Sequence, residues 1–129
     1  MASTTDIVHA YRHLYRGLLR AVIYAKPERF IVRDILRSSF RDEKAVFQPE
    51  TVKRTTWFIQ TAGRTRGLEH RIIKNLLRMH MAKHKELKKW RTVHARSLRS
   101  DPLKAVATPY RHFEMTLAML NATMGIALR

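Results

Sequence analysis

The chain has 129 residues, which is enough for one domain and short for two. It contains no cysteine, and this excludes disulfides, thiolate metal sites and cysteine nucleophiles. The charge is one-sided, because 26 Lys and Arg residues stand against 10 Asp and Glu residues, for a formal net charge of +16. Such a balance indicates an anionic partner: nucleic acid, an anionic membrane or an acidic protein.

No apolar run reaches the roughly 18 residues that a membrane-spanning helix needs, so we expect no span. The first 22 residues are amphipathic, rich in arginine and almost free of acids. That character is typical of mitochondrial import sequences. Its regular helical period fits equally well the first helix of the domain.

The first predicted helix is capped by Thr4, Thr5 or Asp6 and runs to about Ala25. A helical wheel places an apolar face on one side and arginine and histidine side chains on the other. Gly17 lies beside the small residues of this helix. We therefore expect another helix to approach closely there.

The second predicted helix has Pro27 in its first turn and ends near Arg41. Its apolar side is accompanied by arginines at i, i+4 spacing, with Phe40 at the boundary. These arginines are Arg29, Arg33, Arg37 and Arg41. A short connection favours antiparallel packing of the first two helices, so the basic rows of both are expected to border one groove.

Three further helical segments follow. A third helix is predicted over about residues 50–62, a fourth from Leu68 toward Trp90, and a last one from Thr108 and Pro109 to about Leu128. We interpret residues 1–67 as a core of three helices and residues 68–129 as a helical extension of the same domain. The predicted fold class is all-α.

The tripeptide LYR at residues 14–16 resembles the signature of the mitochondrial LYR-motif (complex 1 LYR-like) protein family. The sequence RSSFR at residues 37–41 resembles the Arg-x-x-Phe-Arg element on the second helix of that family. Leu18 and Arg20 match the Leu-x-Arg continuation of the motif. The resemblance covers roughly residues 7–41.

The resemblance implies a three-helix antiparallel bundle with additional C-terminal helices. It also implies a non-enzymatic adaptor of the mitochondrial matrix that binds mitochondrial acyl carrier protein. In this family the acylated 4'-phosphopantetheine arm of the carrier inserts between the helices. The pair then supports assembly or stability of a larger mitochondrial complex, such as the ribosome or a respiratory complex. We expect no cofactor bound directly by this chain.

Carried onto this sequence, the resemblance implies carrier contacts on basic and tyrosine side chains of the first two helices. These are Tyr15, Arg16, Arg20, Arg33, Arg37 and Arg41. Arginine suits carboxylates and phosphate through its fork of donors. The expected acyl-chain tunnel is lined by Leu14, Leu18 and Phe40. Without the resemblance, these three are interpreted as bundle core and the arginine rows as a solvated face.

A basic segment further along the chain supports an alternative function, a mitochondrial ribosome-associated or RNA-binding protein. Lys88, Lys89, Trp90 and Arg91 interleave cations with an indole, which suits ribosomal RNA through phosphate pairing and stacking. The same residues fit a solvated helix face that covers Trp90. A third alternative is a protein drawn to an anionic membrane surface.

The sequence contains no motif typical of an enzyme or a metal site. Histidines stand four residues apart at His9 and His13 and again at His80 and His84, and such pairs can hold zinc. Neither pair has a third ligand at a suitable spacing, so ordinary surface histidines are the expectation. No nucleophile–base arrangement or phosphate loop is present in the sequence, and we expect neither catalysis nor a metal.

Overall fold

A computed structural model describes residues 2–88 and 102–129, and over those residues the chain forms helices and no strand. They are α1 (Thr4–Ala21), α2 (Glu28–Arg41), α3 (Pro49–Arg64), α4 (Leu68–Lys88) and α5 (Pro102–Met124). The predicted all-α class is confirmed for this part of the chain. None of the described helices is long and apolar enough to cross a membrane.

The N-terminus of α1 is capped by Ser3, so the prediction of Thr4, Thr5 or Asp6 as the cap was wrong. The Ser3 hydroxyl accepts a hydrogen bond from the Thr5 backbone N–H at 3.4 Å. In return, the Ser3 backbone N–H donates to Asp6 Oδ2 at 3.1 Å. This reciprocal capping box satisfies donors that a free helix end leaves unpaired.

The C-terminus of α1 lies at Ala21 rather than near Ala25, which corrects the second predicted boundary. Ile23 and Tyr24 have φ angles of 55° and 53°, in the left-handed region. A right-handed helix cannot continue through two such residues. The apolar period runs on past the end of the helix, so periodicity alone could not locate this boundary.

The next three helices begin close to where the sequence predicts them. Pro27 directly precedes α2, Pro49 is the first residue of α3, and α4 begins at Leu68. Proline fits a first turn because the N–H groups there have no intrahelical partner.

The last helix begins at Pro102 and passes through Thr108 and Pro109, so the predicted start at Thr108 and Pro109 was wrong. Pro102 occupies the first helical position, where the absence of an N–H costs nothing. The helix ends at Met124 rather than near Leu128, because Gly125 has a φ of 64°. A left-handed glycine is a common helix terminator.

The first four helices pack in a ring in which α1 contacts α2 and α3, and α4 also contacts α2 and α3. The connection of residues 22–27 brings α2 back alongside α1, and the Tyr11 ring lies 5.3 Å from the Phe40 ring. An early residue of α1 thus meets a late residue of α2, so the two helices are antiparallel. The predicted contact between them is confirmed.

Helices α1 and α3 approach each other closely at Gly17. A Cβ atom placed on Gly17 would lie 3.0 Å from Cγ2 of Ile59. Gly17 is buried together with Ala10 and Ala21 on the same side of α1. The close approach that the sequence predicts at Gly17 is therefore present, and α3 is the helix that makes it.

We expect Gly17→Leu to destabilise the fold by about 1–3 kcal/mol, because the added atoms would force α1 and α3 apart. Urea unfolding followed by circular dichroism measures the change. Gly67→Ala is the control, since a Cβ on Gly67 would meet Glu69 Oε2 at an ordinary 3.4 Å. That variant should stay within about 0.5 kcal/mol of the parent. Equal losses in both variants would contradict the packing role of Gly17.

The core draws apolar side chains from all four ring helices and from the residues after α5. Phe58, Ile73 and Val32 are the largest of the fully buried side chains. Phe113, Leu117 and Leu120 of α5 pack against this core. Lys83 of α4 also donates to Glu114 Oε1 of α5 at 2.7 Å. The last helix therefore folds back on the bundle.

Candidate functional site

An apolar cavity of about 530 Å³ lies along the inside of the bundle. Side chains from α1, α2, α3 and α4 line it, together with residues 42, 44–48 and 127–129. Leu14, Leu18 and Phe40, the three residues expected to form an acyl tunnel, all lie on its wall. Leu14 is buried, whereas Leu18 and Phe40 are half-buried and pack against the core.

The aromatic side chains of α1 form one edge of this region. Tyr11 meets Phe40 edge-on, at an interplanar angle of 87°. Tyr15, a predicted carrier contact, stacks on Tyr11 with ring centroids 6.1 Å apart. Tyr15 is half-buried, so its ring covers core while part of it remains accessible. An amphipathic tyrosine is well suited to such a boundary.

The cavity reaches the surface beside the connection between α2 and α3. Lys44, Ala45 and Val46 line the cavity there and are exposed, with Val46 at 81%. The segment between α2 and α3 therefore forms a rim rather than a closed wall. Leu14 and Leu18 line the same cavity as this rim.

Residues 126–129, which we call the strap, cross the bundle after α5 and contribute to the wall of the cavity. Ile126 and Leu128 are buried. The Asn121 side chain accepts from the Leu128 N–H at 3.0 Å and donates to the Leu128 carbonyl at 2.8 Å. The buried Thr55 hydroxyl accepts from the Ala127 N–H at 3.0 Å. His80 Nε2 also donates to the Arg129 carbonyl at 3.0 Å. These four hydrogen bonds to residues 127–129 hold the strap in one position.

An ion pair joins the strap to the rim. Arg129 Nη1 lies 3.1 Å from Asp42 Oδ2. A hydrogen bond from the Lys44 N–H, and then the Arg129 guanidinium, hold the pKa of Asp42 below its ordinary value of 3.8. Asp42 thereby connects the rim to the strap at the surface end of the cavity.

We expect acid to loosen the strap. Because the pKa of Asp42 is lowered by folding, the ion pair stabilises the fold above pH 3.8 and is lost as the pH falls through the lower folded-state value. The effect is small, since both partners are exposed. NMR of the Ile126 and Leu128 methyl groups should show increased motion, at neutral pH in Asp42→Asn and at acid pH in the parent.

Glu114→Gln is the control for that prediction, because the pKa of Glu114 is likewise lowered, in this case by Lys83. This variant removes a comparable ion pair between α4 and α5 and should leave the methyl groups of the strap unchanged at neutral pH. If Glu114→Gln and Asp42→Asn mobilise the strap equally, the assignment to Asp42 and Arg129 is wrong.

The two predicted arginines of α1 are both exposed and lie one turn apart on the same face of the helix. Arg16 projects to solvent. Arg20 lies toward α3, because its Cβ is 3.3 Å from a Cβ placed on Gly63. Among the described residues neither arginine has an ion-pair partner.

The predicted arginines of α2 extend along much of that helix. Arg37 and Arg41 are exposed, and neither has an ion-pair partner within residues 2–88 and 102–129. Arg33 is half-buried, pairs with Asp34 Oδ1 at 3.1 Å, and lies 5.4 Å over the Phe30 ring. Arg41 lies near the level of Tyr11, whereas Arg20 is nine residues further along α1, about 13 Å away along the axis.

The predicted RNA contacts cannot be placed. Lys89, Trp90 and Arg91 lie outside the described residues, as does the side chain of Lys88. Within the described residues no group of three or more metal-ligating side chains comes together. His9 and His13 instead line a second cleft, between α1 and α3, beside the Trp57 ring, which is 60% exposed.

Sequence reasoning missed the strap, Thr55 and Tyr11 as parts of this site. Thr55 and Ala127 are 72 positions apart, and no local pattern signals such a contact. Tyr11 could have been found, since it is one turn before Tyr15 on the rim of the same apolar face. The cavity itself depends on how four helices and the strap pack together, which a single helical wheel does not contain.

Comparison with known proteins finds a mitochondrial relative of this chain. The chain is 35% identical over 79 residues to the UPF0593 mitochondrial protein C806.05 of Schizosaccharomyces pombe. The match covers 59% of this chain and 63% of that relative, so the chain spans less than two thirds of the relative's length. No protein-family model matches the sequence, and no solved structure does. The relative is described as mitochondrial, and its name gives no activity or partner.

Proposed function

We propose that this chain is a non-enzymatic adaptor of the LYR type in the mitochondrial matrix. It binds acylated acyl carrier protein and supports assembly or stability of a larger mitochondrial complex. Three things support the proposal: the motif at residues 14–16, the RSSFR element at residues 37–41, and a relative with a mitochondrial name. In this proposal α1, α2 and α3 correspond to the family's three-helix bundle.

The observation that carries the proposal is the apolar cavity with an open rim. Its volume of about 530 Å³ lies within the range of pockets that hold small ligands. Burial of an acyl chain against Leu14, Leu18 and Phe40 gains about 0.8 kcal/mol per methylene. The phosphopantetheine arm, which is polar, would lie at the rim. The acyl chain would fill the cavity and so complete a core that the protein alone leaves underfilled.

Charge supplies the second part of the proposed interaction. Arg16, Arg37 and Arg41 are exposed and lack carboxylate partners among the described residues. Exposed ion pairs are worth only about 0–1 kcal/mol each. We therefore assign these arginines to steering and orienting an acidic carrier, and assign most of the affinity to the buried acyl chain.

The test is affinity purification of a tagged full-length copy from mitochondria, followed by intact-mass spectrometry of everything retained. We expect a carrier protein whose mass includes the phosphopantetheine arm and a fatty acyl group. Retention of the carrier only in its unacylated form would overturn the role of the cavity. Absence of any carrier would overturn the proposed function.

A second candidate function is association with ribosomal RNA, and the observation that favours it is the exposed Trp57 beside Lys53 in a chain of net charge +16. An indole next to cations offers stacking and phosphate pairing together. In the same purification this function would appear as salt-sensitive RNA without a carrier.

A further inference from the structure

Two connections, and the helix ends that flank them, lie at one end of the bundle. Residues 22–27 join α1 to α2, and residues 65–67 join α3 to α4. The two connections are adjacent, because a Cβ placed on Gly63 would lie 3.5 Å from the Ala21 backbone nitrogen. We call this region, residues 20–30 and 63–71, the loop end. The rim of the cavity, in the α2–α3 connection, lies at the opposite end.

The loop end exposes large apolar side chains. Ile23 is 56% exposed, Tyr24 57% and Leu68 68%, and Phe30 is 41% exposed. Single exposed apolar residues are ordinary on protein surfaces, but several on two adjacent connections mark an interaction site. Ile23 and Tyr24 belong to the connection between α1 and α2, whereas Phe30 and Leu68 lie in the first turns of the helices that follow the two connections.

The backbone at this tip is strained. Ile23 is β-branched and has a φ of 55°, a conformation that glycine or asparagine adopts far more easily. Tyr24 follows with a φ of 53°. Strain of this kind persists where the surrounding structure imposes it, and it is concentrated at functional sites. In this protein the strained backbone carries two exposed apolar side chains rather than buried ones.

Cations surround the apolar tip. They are Arg20, Lys26, Arg29, Arg64, Arg66 and Arg71, and among the described residues none of them forms an ion pair. The carboxylates of this end are Glu28 and Glu69, in the first turns of α2 and α4. Acidic residues at those positions complement the helix dipoles. The local charge of the loop end is thus clearly positive.

We propose that the loop end docks on an anionic phospholipid surface, with Ile23, Tyr24 and Leu68 inserted among the lipids and the surrounding cations paired with phosphate headgroups. The exposed aliphatic side chains favour a lipid surface over a nucleic acid as the partner. RNA offers phosphate to the cations but no apolar medium to Ile23 or Leu68. A bilayer offers both. Docking in this direction turns the cavity rim away from the membrane, so a partner at the rim keeps access.

The experiment is sedimentation of the full chain with vesicles of phosphatidylcholine alone or of phosphatidylcholine with phosphatidylglycerol. We expect pelleting with the anionic vesicles only. Ile23→Ser with Leu68→Ser should lower the partition coefficient at least about tenfold per residue, given the burial each side chain loses. Arg64→Ala with Arg66→Ala should lower it about fivefold per residue.

Matched variants separate the loop end from general basicity. Met119→Ser removes an apolar side chain that is 71% exposed on α5, and Arg78→Ala with Lys85→Ala removes two exposed cations of α4. Both controls should bind vesicles within about twofold of the parent, since they lie outside the loop end. Equal losses in the control and loop-end variants would overturn the proposal, as would failure of the parent to pellet.

Insertion can be read directly because the chain has no native cysteine. An environment-sensitive fluorophore on Leu68→Cys should shift to the blue on addition of anionic vesicles, whereas the same fluorophore on Met119→Cys should not. A shift produced by RNA and not by vesicles would overturn the proposal. Carrier binding, measured on the same variants, should be unchanged, so failure here and failure of the adaptor function are distinguishable.

Discussion

Combined Arg16→Glu and Arg37→Glu is expected to weaken binding of the acylated carrier by about a hundredfold or more, because two attractive contacts with an acidic partner become repulsive. Both side chains are exposed, so the helix content and the midpoint of thermal unfolding should remain near those of the parent. Titration of acylated carrier into each protein by calorimetry gives the affinities, and circular dichroism gives the stability.

Arg54→Glu with Arg78→Glu is the matched control, since both residues are exposed, on α3 and α4, and the net charge falls by the same amount. We expect a loss below about tenfold in this control, limited to long-range steering and reduced further by salt. If both double variants lose the same affinity, the effect is one of overall charge. If neither loses affinity, the carrier surface lies elsewhere on the molecule.

The sequence was informative wherever a local rule determines the structure. Pro27 directly before α2 and Pro49 at the start of α3 mark helix starts because their missing N–H is harmless there. Gly17 marks a close approach, because a Cβ atom at this position would lie only 3.0 Å from Cγ2 of Ile59. The predicted helix boundaries that were wrong lie where a local backbone feature opposes the apolar period. The left-handed Ile23 ends α1 although it carries a side chain that belongs to the apolar period.

The candidate site was predictable only in part, for a physical reason. Leu14 and Leu18 are one turn apart, so the wheel places them together, and the antiparallel return of α2 brings Phe40 to the same cavity. The strap is different, since its position depends on Thr55, Asn121 and Asp42, which are distant from it or from one another in sequence. Long-range hydrogen bonds of this kind leave no period in the chain.

Filling the cavity should remove the advantage of an acylated carrier over an unacylated one. Leu18→Trp places an indole in the cavity that Leu18 lines between α1 and α2. An acyl chain that buries about six methylenes in this cavity gains about 5 kcal/mol of binding free energy, at about 0.8 kcal/mol per methylene. We therefore expect the variant to bind the acylated carrier no better than the unacylated one, a loss of roughly three to four orders of magnitude.

Leu19→Trp is the control, because Leu19 is a half-buried neighbour on α1 that does not line the cavity. It should keep the preference for the acylated carrier.

Should Leu18→Trp prove unstable through overpacking, Ser39→Leu narrows the same cavity from α2 with a smaller side chain and should shorten the longest acyl chain that binds. Calorimetry with carriers bearing acyl chains of increasing length distinguishes the outcomes: an unchanged length preference in both cavity variants would show that the chain binds outside this cavity.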